Sequence, residues 1–342
     1  MSPLSTKRKL VYAGVTWLLA AGLALFVLVT ADIYVHWRTQ DVAGVNIHGY
    51  RGRVIPTKRS GEIRVVMVGG STAFGWGLPS HESIPAFLER RLNAATSKRF
   101  SVVNLGAPGQ GAYGFLYDLE DFAYLDYDIV CLYEGYNDLG PITQHGLNNY
   151  LLWRRESPVF RWTGYYPILP VVLREKAQAM LNGGNVNADP GQVRFRAGLG
   201  TRAAAGVLTS VADATRGLGG KEGAVPQVPA DPAVDDECIE KWRRYCGSVR
   251  DAVAWTLAEN KKVIFITQPY VSDAHVEQQA NVTAMLRARF GNDARVQQVN
   301  FGRTIDLRDA AIAYDGLHLV AKGNDAIAAG VVDRVLAAAQ LQ

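Results

Sequence analysis

The pattern of apolar and polar positions changes character along the chain. From Leu10 to Ala31 no charged residue occurs, with Lys7-Arg8-Lys9 ahead of the run and Asp32 behind it. About 20 helical residues at ~1.5 Å rise cross the ~30 Å hydrocarbon core of a bilayer, so this run predicts one N-terminal transmembrane helix. Further on, short apolar runs read as buried strands: Ile63–Val68, Val102–Leu105, Asp128–Tyr133, Val263–Thr267 and, last, Arg295–Asn300. Between and after them, helical spacing marks Ser83–Ala94, Cys246–Lys261, Ala274–Phe290 and Asn324–Ala339, the first with Phe87, Leu88 and Leu92 on its apolar face. Strands alternating with helices predict an α/β fold, a mainly parallel sheet covered by helices in three α/β/α layers.

This pattern divides the chain into a tail (1–9), a transmembrane segment (10–31), a connector (32–62), a catalytic-type domain (63–140 and 236–342) and an insertion (141–235). The connector is basic toward its end. Arg51, Arg53, Lys58, Arg59 and Arg64 face Glu62 alone, which reads as a solvated linker rather than a lipid-binding patch. The first half of the insertion carries Trp153, Phe160, Trp162, Tyr165 and Tyr166, broken by Pro158, Pro167 and Pro170. It is either a satellite core or a lid over the site. The second half, Asn182–Asp235, is loaded with Gly, Ala and Pro, and flexible chain is expected there.

Chemistry gathers at the strand ends. Val65-Val66-Met67-Val68-Gly69-Gly70-Ser71-Thr72-Ala73-Phe74-Gly75 is a strand running into a glycine-lined turn that carries a serine. Val102–Leu105 leads into Gly106-Ala107-Pro108-Gly109-Gln110-Gly111, and Ile129–Tyr133 leads through Glu134 into Gly135-Tyr136-Asn137-Asp138. Asp315-Gly316-Leu317-His318, far downstream, sets a carboxylate three residues from an imidazole. A serine becomes a nucleophile beside a base, and the base needs a partner that fixes its tautomer. Backbone N–H groups and an Asn amide suit the developing oxyanion of acyl transfer.

Taken in order, these four blocks resemble the SGNH (GDSL-type) hydrolase family over roughly residues 63–140 and 255–342. The resemblance implies the family's flavodoxin-like α/β/α fold. It also implies Ser71 as nucleophile, His318 as general base and Asp315 as its orienting partner. The oxyanion hole would be Ser71 N–H, Gly109 N–H and the Asn137 side chain. In one respect the chain departs from the pattern. The family's Gly-Asp-Ser-Leu stretch reads Gly69-Gly70-Ser71-Thr72 here, so the carboxylate before the serine is missing.

Other chemistries fit less well. Gly70 and Gly75 have the spacing of a P-loop, but Trp76-Gly77 follow where lysine and a hydroxyl residue are needed. His36, His48, His81, His145 and His275 are scattered without metal-ligand spacing and are expected mostly at the surface; no metal and no cofactor is expected. A formal charge of +4 without a basic-aromatic block argues against nucleic acid as a partner. Cys131 lies in an apolar strand and reads as a buried small hydrophobe. Cys238 and Cys246 lie ~12 Å apart if both are on one helix. They can pair only if the helix begins after Cys238, near Trp242.

Lys7, Arg8 and Lys9 before the apolar run, against Arg38 close behind it, place the N-terminus in the cytoplasm and the catalytic domain outside the inner (cell) membrane. A cleaved signal peptide is the competing reading, since Val29-Thr30-Ala31 offers small residues; the length of the run favours a retained signal-anchor. The function expected is a serine esterase acting on an ester substrate, with an O-acyl group of envelope or secreted polysaccharide favoured by location. The alternatives are an O-acyltransferase using the same triad and a non-catalytic envelope scaffold.

Overall fold

A computed structural model describes residues 5–140, 154–155, 157–183, 199–216 and 235–340. The chain forms two compact units, Met1–Arg38 with Pro167–Gly219, and Thr39–Tyr166 with Gly220–Gln342. The first begins with helix α1 (Thr6–Thr39), which is long and apolar enough to cross a membrane and extends past both ends of the run seen in sequence. Leu18, Trp17 and Phe26 point outward from it, as residues facing lipid would.

The larger unit is built on a five-stranded sheet. Strand β1 (Glu62–Gly69) leads into helices α2 (Ser71–Phe74) and α3 (Ile84–Ala95), then β2 (Arg99–Asn104), α4 (Phe115–Asp121) and β3 (Ile129–Tyr133). The short helix α5 (Pro158–Thr163) also belongs to this unit; α6 (Leu169–Leu181) and α7 (Leu199–Arg216) belong to the other. Helix α8 (Arg243–Ala258), β4 (Lys262–Thr267), α9 (Asp273–Phe290), β5 (Val296–Asn300) and α10 (Ala321–Ala338) complete the order. The strands lie in the order β2-β1-β3-β4-β5, every pairing parallel. Because a parallel sheet is covered on both faces, its central strands are apolar throughout rather than alternating. Val65, Val66, Met67 and Val68 on β1 and Ile129 to Tyr133 on β3 are all buried. Helices α3 and α10 pack together over one face, and α4, α8 and α9 over the other. The first layer closes a core of Val65, Met67, Leu88, Leu92, Ile264 and Val331. Cys131 is fully buried in β3, as expected.

Two of the basic residues assigned to a solvated connector are buried. Arg51 donates to the carbonyls of Gln40 (3.1 Å), Val42 (2.9 Å), Gly44 (2.8 Å) and Leu78 (2.8 Å), and its guanidinium lies 4.4 Å from the Phe74 ring centre. The chain after α1 thus folds around one arginine, whose two terminal nitrogens are answered by these carbonyls while its buried Nε has no partner. Burial lowers the Arg51 pKa to about 10. Arg64 donates to Glu62 (2.9 Å) and the Pro56 carbonyl (2.9 Å), at the end of the sheet opposite the serine turn.

Cys238 and Cys246 are disulfide-bonded, with Cα atoms 6.5 Å apart. The condition set by the spacing is met: a 3₁₀ turn at Glu240–Trp242 precedes α8, so only Cys246 is on the helix.

In the smaller unit, α6 and α7 pack against each other. The stretch expected to be flexible thus holds an 18-residue helix, α7. Its alanines supply both helix propensity and a small-residue face, and Ala205 and Ala212 are buried. Asp32 and His36, near the end of α1, are buried too. Asp32 Oδ1 accepts the N–H groups of Ile168 (2.9 Å) and Leu169, serving the start of α6 as a cap from another helix. Within the insertion, residues 141–153 (with Trp153), 156, 184–198 and 217–234 lie outside the described residues.

Candidate active site

Ser71 is the second residue after β1 and the first of α2, half-buried at the carboxyl end of the sheet, where ligands of open parallel sheets sit. Gly70 caps the start of the one-turn helix α2, and Gly75 caps its end in the left-handed region (φ +78°), with its N–H reaching the Ser71 and Thr72 carbonyls. A side chain at Gly75 would be strained there. The turn is held from the ends of two other strands of the sheet. Asn104, at the end of β2, is buried; its Nδ2 donates to the Ala73 (3.0 Å) and Phe74 (3.3 Å) carbonyls, and its Oδ1 accepts Gly106 N–H (2.9 Å). Gln268, just after β4, donates to Thr72 Oγ1 (2.9 Å), and its Oε1 accepts Tyr136 N–H (3.2 Å).

His318 Nε2 lies 2.8 Å from Ser71 Oγ, and His318 Nδ1 lies 2.7 Å from Asp315 Oδ2. The pair sits in a loop before α10, closed by an Ala313–Leu319 bridge and by Tyr314 N–H donating to the His318 carbonyl (3.1 Å). Asp315 Oδ1 also accepts the N–H groups of Leu317 (3.0 Å) and His318 (2.7 Å). Partial desolvation raises the Asp315 pKa, but the hydrogen bonds from the His318 ring and these backbone groups outweigh it, so the carboxyl is held below its usual value. Tyr314 stacks on the His318 ring, with centroids 5.8 Å apart, and donates to the Trp76 carbonyl (3.2 Å). Trp76 and Tyr314 are both about half exposed, at 47% and 49%.

The second and third blocks reach the same place. Asn137 Nδ2 donates to the Gln110 carbonyl (2.9 Å) and lies 2.4 Å from where a Cβ on Gly70 would stand. Gly109, in the left-handed region (φ +72°), is the exposed residue of the loop just before Gln110. Asp138 closes this loop by accepting Ala112 N–H (2.9 Å), and burial together with the charge of Glu134 pushes its pKa well up. The structure therefore brings Ser71, Asn137, Asp315 and His318 to one site and sets Gly109 on its adjoining loop.

Several supporting residues escaped the sequence reading: Arg51, Asn104, Glu134 and Gln268. Asn104 and Glu134 each directly follow or end an apolar strand. A polar residue there was a readable signal, but its partner was not. The histidines need correction as well. His275 is buried between Tyr136 and Tyr270, with ring centroids 4.9 and 5.6 Å away, and burial lowers its pKa to about 4. His36 is the second buried histidine, and His145 lies outside the described residues. Among the described residues no group of His, Cys, Asp and Glu is arranged to hold a metal.

A parallel sheet in the order 2-1-3-4-5, with a serine turn, a glycine loop, an Asn-Asp block and an Asp-His loop at its carboxyl end, is the flavodoxin-like arrangement that the resemblance to the SGNH (GDSL-type) hydrolases implies. No family model matches the chain, and no curated protein matches it. Among solved structures it is similar to a lipolytic G-D-S-L family member from Veillonella parvula (11% identity, 79% of this chain and 97% of that one, TM-score 0.40). It is similar to a family 3 carbohydrate esterase from Clostridium thermocellum (15%, 81% and 99%, TM-score 0.40). A psychrotrophic esterase from a Pseudoalteromonas species is a third (11%, 80% and 96%, TM-score 0.43).

Proposed function

We propose that the protein is a serine ester hydrolase whose catalytic groups are Ser71, His318 and Asp315. The observation that carries this reading is the unbroken hydrogen-bonded chain Ser71 Oγ–His318 Nε2, His318 Nδ1–Asp315 Oδ2, at 2.8 and 2.7 Å. His318 Nε2 takes the Ser71 proton as Oγ attacks the ester carbonyl carbon. The oxyanion is received by Ser71 N–H, Gly109 N–H and the Asn137 amide. The carbon–oxygen bond to the alcohol breaks, and the alcohol leaves with the proton held on His318. Water, deprotonated by the same nitrogen, then attacks the acyl carbon, and the acid departs as Ser71 recovers its proton.

The substrate we favour is an O-acyl ester of a carbohydrate. Tyr314, stacked on His318, and Trp76, whose N–H donates to the Ser71 carbonyl (3.0 Å), are half exposed and offer flat apolar faces on which a sugar ring can lie while its acyl group enters. Location supports this too. We place α1 as a retained anchor with its Lys7-Arg8-Lys9 end in the cytoplasm. The helix runs unbroken through Val29-Thr30-Ala31, the stretch a leader peptidase would need extended. The Cys238–Cys246 disulfide suits an oxidising compartment outside the membrane.

The test is labelling of the whole protein in detergent with a fluorophosphonate, with the adduct mapped by mass spectrometry. The reading expects a single adduct on Ser71, lost in Ser71→Ala, and release of acetate from acetylated oligosaccharide. A well-folded protein that takes no label would overturn it.

A further inference from the structure

The carboxylate missing before Ser71 is replaced from elsewhere in the fold. We infer that Glu134 is a positioning residue for the nucleophile turn, its carboxylate sent across from the end of β3 into the space that a side chain on residue 70 would fill. The inference rests on Ser71 being the nucleophile, as proposed above.

An ideal Cβ on Gly70 would stand 2.2 Å from Glu134 Oε2, 2.4 Å from Asn137 Nδ2 and 3.0 Å from the Gln110 carbonyl oxygen. Gly70 is therefore the complement of Glu134: only a residue without a side chain admits that carboxylate against the turn. The other oxygen, Oε1, accepts the N–H groups of Gly135 (2.9 Å) and Asn137 (3.0 Å), so one carboxylate both fixes the Asn137 peptide and abuts the peptide leading into Ser71. Its own backbone is held in turn, since Tyr245 Oη donates to the Glu134 carbonyl (2.9 Å) and Gln279 Nε2 donates to that hydroxyl (3.0 Å).

Packing alone gives no reason for an acid here. Glu134 is wholly buried, and Oε2 has no full hydrogen bond. A buried, incompletely satisfied carboxylate costs stability that an apolar residue of the same size would not. Burial pushes its pKa up to about 7, against the pull of the Asn137, Gly135 and Gly70 N–H groups and the Asn137 amide. Buried groups that are destabilising in themselves and lie against a reacting residue mark function rather than support. The role is coupling. Glu134 sets the distance between the serine turn and the asparagine that receives the oxyanion, two elements on different strands.

The experiment compares the whole protein in detergent with Glu134→Ala, Gly70→Asp and the double variant Gly70→Asp/Glu134→Ala. The readouts are the fluorophosphonate labelling rate and the kcat and KM for p-nitrophenyl acetate. Each single variant is expected to lose about tenfold or more in labelling rate and kcat with little change in KM, because only the reacting geometry is disturbed. The double variant, which returns a carboxylate to position 70 and vacates its rival, is expected to recover about tenfold over either single. A merely structural role would move thermal midpoints without that recovery. Should Glu134→Ala not fold, Glu134→Gln, which keeps the size and removes the charge, carries the same expectation for the single variant. A folded Glu134 variant with wild-type rates would overturn the inference, as would a folded double variant no faster than the singles. In both cases, wild-type labelling at Ser71 leaves the nucleophile standing. If the wild type takes no label, the nucleophile falls and the inference with it.

Discussion

Asp315 orients the imidazole through its Oδ2, while its Oδ1 ties down the loop through two backbone N–H groups. Asp315→Asn offers an amide where an acceptor is needed and favours the wrong tautomer of His318; kcat is expected to fall by on the order of 10³ or more. Because the Asp315 pKa lies below its usual value, its carboxylate persists through the weakly acidic range, and protonation reaches it only at lower pH. Any loss of turnover caused by protonation of Asp315 is therefore expected below the ordinary carboxylate range, and a pH–rate profile whose Asp315-dependent limb, absent from Asp315→Asn, lies above that range would contradict this. Asn137→Ala is expected to raise the barrier by on the order of 3 kcal/mol, seen as a fall in kcat with the fold intact. At the far end of the sheet, hydrogen bonds from Ser101, Arg59 and Arg64 overcome desolvation and hold the Glu62 carboxyl down at about 2. A carboxyl with a lowered folded pKa stabilises the fold above its unfolded pKa and loses that contribution as pH falls toward the folded value. Stability is thus expected to drop by about 2 kcal/mol between roughly pH 4.5 and pH 2. Urea unfolding of wild type and Glu62→Gln should show a flatter pH dependence in the variant.

Elements were legible where their period was strong. The strands and the helices that became α3, α8, α9 and α10 were read to within a few residues, because sheet-facing positions and helical stripes leave a regular apolar trace. The one-turn helix α2 and the short α4 left none, being too brief to show a period. The pairing of Cys238 with Cys246 turned on where α8 begins, a boundary that spacing alone could not locate. By closing a small loop, this disulfide is expected to contribute about 2–3 kcal/mol by restricting the unfolded chain. Cys238→Ser/Cys246→Ser should unfold earlier by that amount while Ser71 labelling at low temperature is kept, since the bridge lies outside the site. An unchanged unfolding midpoint would show the bridge to be unformed or without consequence.

At the scale of the whole molecule, α1 does two jobs. Its apolar length suits a bilayer, and Asp32 near its end caps α6 within the smaller unit. The intact protein is expected to sediment with membranes and to resist extraction by alkaline carbonate, as a spanning helix would. Recovery of a soluble form beginning at Asp32 would favour the cleaved-leader alternative instead. Asp32→Ala leaves two N–H groups at the start of α6 unanswered and is expected to cost about 1 kcal/mol. Limited proteolysis should then show earlier cutting within Leu169–Leu181.

The amino-acid sequence by itself determined the parallel α/β architecture, the apolar N-terminal helix, and the identity and order of the four blocks. Each of these is written in local periodicity or in a short run of neighbours. It even recorded the missing acid before Ser71. Only the tertiary structure decided what answers that absence. Glu134 and Gly70 are 64 positions apart and meet solely because β1 and β3 are adjacent in the sheet. The same holds for Asn104 beneath the serine turn, Gln268 bridging two loops, and Arg51 gathering four carbonyls. A buried polar side chain takes its meaning from the partner that satisfies it, and sequence distance carries no record of that partner.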